Sequence, residues 1–236
     1  MDVTMVVPAA GVGDRMGRNI PKQFVKLGDE DKPDRTPLEL LVAAYQEANE
    51  VGHLIVVCSD EYREQTEEIV SPYAKVDKIV RGGATRHESL FRGIEAVDTT
   101  IVGIHDAARP ILFKPALEAS FKRMQDGARA ISTVVHPYAT MLVCEENGPV
   151  EGALERWAVA HTVSPAFYYT EDLLTALQES EKRGIEFRDE PAMMKGIFPD
   201  FEIQTVEGHR SSFKLTFPED FDLLASFRRQ MADGEF

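Results

Sequence analysis

Short runs of consecutive apolar residues alternate along this chain with longer segments whose apolar positions recur every three to four residues. Val3 to Val7 is a β-branched run without polar alternation, the pattern of a strand covered on both faces, and it opens into a glycine-rich segment. Thr36-Pro37-Leu38-Glu39 has the form of a capping box with proline at the first helical position, and Leu38, Leu41, Val42 and Tyr45 follow at helical spacing. Leu54 to Cys58 predicts the next strand, Asp60 to Val70 a polar helix, and the stretch near Lys78 to Val80 a third strand. Thr85 and Glu88 form a second capping box ahead of the stripe Leu90, Phe91, Ile94 and Val97. Ile101 to His105 reads as a buried strand, Pro115 to Asp126 as a helix ended by Gly127, and Ala130 to Val135 as a strand again. Strands alternating with helices imply right-handed crossovers, so the expected class is α/β: a mostly parallel sheet with helices on both faces.

Between residues 136 and 165 the rhythm changes. Pro137, the turn Glu146-Asn147-Gly148-Pro149 and the β-leaning flanks Thr140 to Val143 and Trp157 to Val163 predict a protruding β-hairpin arm. Its flanks are too polar for a second core, so it is expected to pack on the main body or on another subunit. Beyond it, Thr170 to Arg183 predicts a helix stopped by Gly184, with a short helix around Ala192, a strand at Glu202 to Val206 and a last helix capped by Thr216 and Glu219. With no internal repeat, residues 1–236 are read as a single domain and 136–165 as its arm.

Composition narrows the function classes. The 43% hydrophobic and 28% charged fractions are those of an ordinary globular protein. Forty acidic against 26 basic side chains give a formal charge of −14, which repels nucleic acid and anionic membrane surfaces. Neither is an expected partner. Only Cys58 and Cys144 are present and no histidine pair has HExxH spacing, so a disulfide framework or a zinc site is not indicated. With no basic leader and no apolar stretch near 18 residues, the expectation is a soluble, cytoplasmic protein.

In open parallel sheets, ligands bind beyond the carboxyl ends of the strands, so the loops after the strands are where chemistry is sought. The first runs Pro8-Ala9-Ala10-Gly11-Val12-Gly13-Asp14-Arg15-Met16-Gly17 and then Pro21-Lys22-Gln23-Phe24. Small residues leave backbone N–H groups accessible to an anion, while Arg15 and Lys22 add full positive charge. Residues 1–28 carry a net +2 and the remaining residues −16, so this loop is a basic exception that suggests a ligand such as a nucleoside triphosphate. An ordinary glycine-rich turn with solvated lysines fits the spacing as well. The glycines miss the dinucleotide GxGxxG by one position, and no Gly-Lys-[Ser/Thr] completes a P-loop. The second loop, Arg81-Gly82-Gly83-Ala84-Thr85-Arg86-His87-Glu88-Ser89, runs two glycines into a capped helix start that favours a base edge or a phosphate, or serves as turn and cap alone. In the third, His105-Asp106-Ala107-Ala108-Arg109-Pro110, Asp106 can orient a hydroxyl or a metal-bound water and Arg109 can grip a phosphate; the alternative is an internal Asp–Arg pair. His105 is read as a satisfied strand residue. In the fourth, Ser212-Phe213-Lys214-Leu215-Thr216, Lys214 sits on an apparent strand, where a lysine faces an anion or escapes to solvent.

Together these blocks, with Val206-Glu207-Gly208 and Pro218-Glu219-Asp220, resemble the 2-C-methyl-D-erythritol 4-phosphate cytidylyltransferases, within the nucleotidyltransferase superfamily. The resemblance spans nearly the whole chain and implies a Rossmann-like fold and a CTP-dependent transferase. It implies that Arg15 and Lys22 contact the triphosphate, and that backbone around Pro8, Ala9, Ala10, Gly11 and Gly13, with Gly82, Gly83, Arg86 and Ser89, surrounds the nucleotide. It further implies that Asp106, Ala107, Arg109, Thr140 and Arg188 border the acceptor phosphate. Arg156 of the arm would come from a neighbouring subunit and join Lys214 in positioning the acceptor, which makes a homodimer the expected state. Mg²⁺ is the implied cofactor, held by the CTP phosphates with Asp106 as a candidate ligand and no other protein ligand. Two departures concern the acceptor. Ser164-Pro165-Ala166-Phe167 stands where the family usually has Thr-Pro-Gln, and Arg188-Asp189-Glu190 where it has Thr-Asp-Asp or Thr-Asp-Glu. A related branch acts on ribitol 5-phosphate and shares the glycine-rich loop.

Overall fold

The computed structural model describes residues 2–11, 20–28 and 32–232. Arg15 and Gly13, two of the expected site residues, lie outside the described residues. A seven-stranded sheet organises the chain, with strands β1 (Val3–Pro8), β2 (His53–Cys58), β3 (Val76–Arg81), β4 (Ile101–Ile104), β5 (Ala130–Val135), β8 (His161–Tyr169) and β9 (Gln204–Glu207) in the spatial order β3-β2-β1-β4-β8-β5-β9. A separate hairpin holds β6 (Met141–Cys144) and β7 (Val150–Leu154). Parallel pairing runs through β3, β2, β1 and β4 and again between β5 and β9, while β8 is antiparallel to both neighbours.

Helices cover both faces because each central strand divides its side chains between them. Val3, Met5 and Val7 of β1 point to the same side as Leu54 and Val56 of β2, where α1 (Pro37–Glu47) and α4 (Lys114–Gln125) bring Leu38, Leu41, Leu117 and Phe121. Val6, Ile55 and Val57 face the other side, against α3 (Arg86–Glu95), α5 (Thr170–Arg183) and α6 (Glu190–Ile197), which supply Leu90, Ile94, Leu173, Leu177 and Met194. Full burial of each such side chain contributes roughly 1.5–3 kcal/mol, so the alternation of β1 and β2 holds the sheet in this register. The helix α2 (Arg63–Val70) flanks the β2–β3 crossover and α7 (Asp220–Ala232) closes the chain.

The capping signals act as expected at three ends. Thr36 Oγ1 accepts the Glu39 N–H, Thr85 Oγ1 accepts the Glu88 N–H, and Gly184 ends α5 in the left-handed conformation at φ 64°.

Four expectations need correction. The arm is shorter than 136–165: residues from His161 onward belong to β8, because Pro165 to Tyr169 is an apolar run that fills the gap between β4 and β5. The hairpin pairs Met141–Cys144 with Val150–Leu154 rather than with the stretch after Trp157, and Asn147 in its turn has a positive φ, 57°. Lys214 is on no strand; it lies in an extended connection after a 3₁₀ turn at Arg210–Ser212. Thr216 does not cap α7, since its hydroxyl donates to the Lys214 carbonyl while Asp220 Oδ2 accepts the N–H groups of Thr216 and Phe217.

Candidate active site

Three loops expected to carry chemistry, and the segment around Lys214, converge beyond the carboxyl ends of β1 and β4. The first two pack closely where the Gly82 backbone meets the Ala10 side chain. A Cβ on Gly82 would stand 2.6 Å from the Ala10 Cβ and 3.0 Å from Ser89 Oγ, so glycine at 82 lets the two loops approach. The Gly83 N–H donates to Ser89 Oγ at 3.0 Å, which fixes the turn into α3. Gln23 Nε2 donates to the Ala9 carbonyl at 2.6 Å and to the Gly11 carbonyl at 2.8 Å, tying the start of the glycine-rich loop to the 3₁₀ turn at Lys22–Phe24. The fourth segment is docked from two sides. Its Leu215 N–H donates to the Ala108 carbonyl at 2.8 Å, and Lys22 Nζ donates to the Leu215 carbonyl at 2.5 Å.

Two adjoining cavities result. The larger, about 550 Å³, is lined by Pro8, Ala10, Gly11, Lys22 and Gln23 from the first loop, Gly83 to Arg86 and Ser89 from the second, and Ser59, Ala108 and Thr216. The smaller, about 210 Å³, is lined by Arg109, Ser132, Thr162, Ser164, Arg188, Asp189 and Glu190 among others. Arg86, Asp106 and Lys214 belong to both walls. They form the boundary. Lys214 Nζ lies 2.7 Å from Asp106 Oδ2, and Arg86 Nη2 is 3.5 Å from Asp106 Oδ1 and 2.9 Å from Glu190 Oε1. Burial alone would raise the Asp106 carboxyl, but the Lys214 and Arg86 charges outweigh it and hold the group well below the usual carboxylate range. Burial would likewise weaken the Arg86 cation; Glu190 and Asp106 reverse that and keep it firmly protonated.

The loop carrying Asp106 and Arg109 is pinned from below. His105 is wholly buried, its Nε2 donating to the Arg109 carbonyl at 2.9 Å and its Nδ1 2.7 Å from Tyr45 Oη. A carbonyl only accepts, so the ring proton sits on Nε2 and Nδ1 accepts from the tyrosine. Burial pushes the ring's basicity down to about 3, leaving it neutral. The internal Asp–Arg pair is not formed: Arg109 instead donates to the carbonyls of Ser212 at 2.7 Å and Thr162 at 3.3 Å, and burial lowers its basicity against the pull of Asp106.

Of the expected residues, Pro8, Ala10, Gly11, Lys22, Gly83, Arg86, Ser89, Asp106, Arg109, Arg188 and Lys214 line the two cavities. Ala9 and Ala107 do not, being packed in the core; the Ala9 N–H is bound to the Val57 carbonyl and its own carbonyl to Gln23. Gly82 acts through its packing, with its N–H on Cys58 and its carbonyl on Arg92. Thr140 and Arg156 sit exposed on the arm and line neither cavity, the Arg156 guanidinium donating to the Tyr138 carbonyl. Sequence reasoning missed Gln23, Ser59, Ser132, Thr162 and Glu190. Gln23 stands inside the Pro21-Lys22-Gln23-Phe24 block and Glu190 two residues after Arg188, so the signal for both is local, whereas Ser132 and Thr162 lie within strands.

The family model for 2-C-methyl-D-erythritol 4-phosphate cytidylyltransferase (IspD) matches residues 3–229. A 2-C-methyl-D-erythritol 4-phosphate cytidylyltransferase of Petrotoga mobilis is 30% identical over 227 residues, covering 94% of this chain and 96% of that protein. A ribitol-5-phosphate cytidylyltransferase of Streptococcus agalactiae is 26% identical over 224 residues, covering 92% and 91%. Among solved structures, the 4-diphosphocytidyl-2C-methyl-D-erythritol synthase of Anaerococcus prevotii superposes with a TM-score of 0.82 at 18% identity, covering 97% of this chain and 96% of that one.

Proposed function

The chain belongs to the 2-C-methyl-D-erythritol 4-phosphate cytidylyltransferase family, and on that premise we propose that it transfers the cytidylyl group of CTP to 2-C-methyl-D-erythritol 4-phosphate. The products are pyrophosphate and 4-diphosphocytidyl-2-C-methyl-D-erythritol, an isoprenoid precursor of the non-mevalonate pathway. One observation carries the reading: two cavities of unequal size meet at Lys214, Asp106 and Arg86. The larger suits the nucleotide and the smaller a sugar phosphate. An oxygen of the acceptor phosphate attacks the α-phosphorus of CTP, the new P–O bond forms as the α–β bridging P–O bond breaks, and pyrophosphate leaves with the electron pair. No covalent nucleophile is needed, only the alignment of two anions and dispersal of their charge. Lys22 and Arg15 serve the triphosphate side, while Lys214, Arg109 and Arg188 serve the acceptor side.

Mg²⁺ fits this arrangement as an ion held chiefly by the triphosphate. Asp106 is the one carboxylate among the described residues lining the larger cavity, and substrate phosphates with one or two carboxylates are a common environment for this ion. When bound, it neutralises charge on the triphosphate. An exposed hairpin bearing Leu142 and Val150, with Tyr138 and Trp157 at 94% and 77% exposure beside it, supports a homodimer in which Thr140 and Arg156 complete the partner's acceptor cavity. No described helix is long and apolar enough to cross a membrane, and a cytoplasmic location accords with the acidic, cysteine-poor chain.

A second reading, ribitol 5-phosphate as acceptor, rests on the relative named for that substrate and on Arg188 lining the smaller cavity where the family usually has threonine. Pyrophosphate release with CTP and Mg²⁺ separates the acceptors. Turnover with 2-C-methyl-D-erythritol 4-phosphate at least tenfold faster than with ribitol 5-phosphate or a phosphonate is expected; release with none of them overturns the assignment.

A further inference from the structure

We propose that Glu190 is a positioning residue whose carboxylate holds the Arg86 guanidinium at the boundary of the two cavities. The inference rests on the reading of the larger cavity as the nucleotide site. Glu190 opens α6 while Arg86 opens α3, so two helices on the same face of the sheet are joined here by charge. The Glu190 side chain is 7% exposed and its Oε1 stands 2.9 Å from Arg86 Nη2. That oxygen has no well-angled hydrogen bond among the described residues, so the ion pair is its compensation for burial. Arg86 lines both cavities and also leans on Asp106 at 3.5 Å, the carboxylate that Lys214 grips more closely at 2.7 Å.

The placement has a mechanical consequence. Glu190 draws Arg86 to one side, which leaves Asp106 chiefly to Lys214. Without that pull, the guanidinium is free to close on Asp106 and to compete with Lys214, withdrawing its remaining N–H groups from the nucleotide cavity. Glu190 touches only the smaller cavity, yet its loss should be felt by a ligand in the larger one. A carboxylate that merely stabilised α6 would have no such reach.

A double-mutant cycle of Glu190→Gln and Arg86→Gln, read as CTP affinity by calorimetry on the whole protein, tests this. Glu190→Gln is expected to weaken CTP binding five- to twentyfold in protein that is still folded at the assay temperature, Glu190→Asp to recover part of the loss, and the double variant to bind no more weakly than Arg86→Gln alone. Unchanged CTP affinity in Glu190→Gln, or losses that simply multiply in the double variant, would overturn the proposal. If Glu190→Gln does not fold, Glu190→Asp carries the cycle with the same expected non-additivity. Failure of the unaltered protein to bind CTP would instead overturn the nucleotide-site reading itself, so the two failures are told apart.

Discussion

Lys214→Met removes one charge from the boundary while keeping most of the side chain's apolar stem. In the native chain Lys214 Nζ lies 2.7 Å from Asp106 Oδ2, and only 15% of the aspartate side chain is exposed. A hydrogen bond to a charged group contributes about 1.5–3 kcal/mol, and stripping one partner from a fully buried pair costs about 3–5 kcal/mol. Here Lys214 is 34% exposed and Arg86 stays beside Asp106, so solvent screening and the second cation place the loss near the low end. About 2 kcal/mol is expected, or about 4–8 °C in thermal midpoint for a chain of this size. The sign with pH follows from the depressed Asp106 carboxyl. Its contribution is whole above the unfolded carboxylate value of about 3.9 and is lost as pH falls from there through the lower native value. Urea unfolding of both proteins should therefore show a gap that is full at pH 7 and smaller at pH 3. An equal gap at the two pH values would refute the pairing as the source of the stability, and wild-type rates of pyrophosphate release by Lys214→Met would refute its place in the site.

Other outcomes are expected. Lys22→Ala should keep the fold and lower pyrophosphate release about 10²- to 10³-fold, as loss of a preorganised donor to transition-state charge does, and near-normal release would remove Lys22 from the mechanism. His105 is neutral in the native state with its basicity pushed down to about 3, so the stability it carries is complete above about pH 6.5 and drains as pH falls toward 3. His105→Gln, which does not titrate, should flatten that limb of the urea midpoint plotted from pH 7 to 4; an unchanged slope would assign the limb to other groups. If the protein forms the proposed homodimer, mixing Arg156→Ala with Lys22→Ala subunits should restore part of the activity through one intact composite site, and a dead mixture with subunit exchange demonstrated would count against an arm acting across subunits.

Local signals gave the fold its elements, and their limits explain what stayed hidden. The Thr36 and Thr85 caps and the Gly184 stop depend on neighbours within four residues, so the sequence displays them directly. Strand β8 was obscured because Ser164-Pro165 falls inside it, and a proline in a strand reads as a break unless the partners on either side are known. Losing β8 also cost the smaller cavity Thr162 and stretched the arm to residue 165. The apolar neighbours of Lys214 read as a strand, whereas Leu215 is buried in a loop docked onto Ala108 and Lys22. In the sequence Glu190 is legible only as the last residue of the Arg188-Asp189-Glu190 departure. Its tie to Arg86 spans about a hundred positions, and no pattern within one sequence records such a contact.

The same separation resolves the conflict between an acidic chain and an anionic ligand. Lys22, Arg86, Arg109, Arg188 and Lys214 come from five distant segments, and of these only the loop that holds Lys22 stands out as basic in the sequence. Convergence alone would crowd cations together at a cost, and the carboxylates offset it. Asp106 faces Lys214 and Arg86, and Glu190 faces Arg86, so these acids hold donors in place where an isolated acid would repel phosphate. A net charge of −14 over the whole chain therefore says little about the two cavities: it disfavours long polyanions at the surface, while the cations that line the cavities keep a local environment in which the proposed triphosphate and acceptor phosphate can be held.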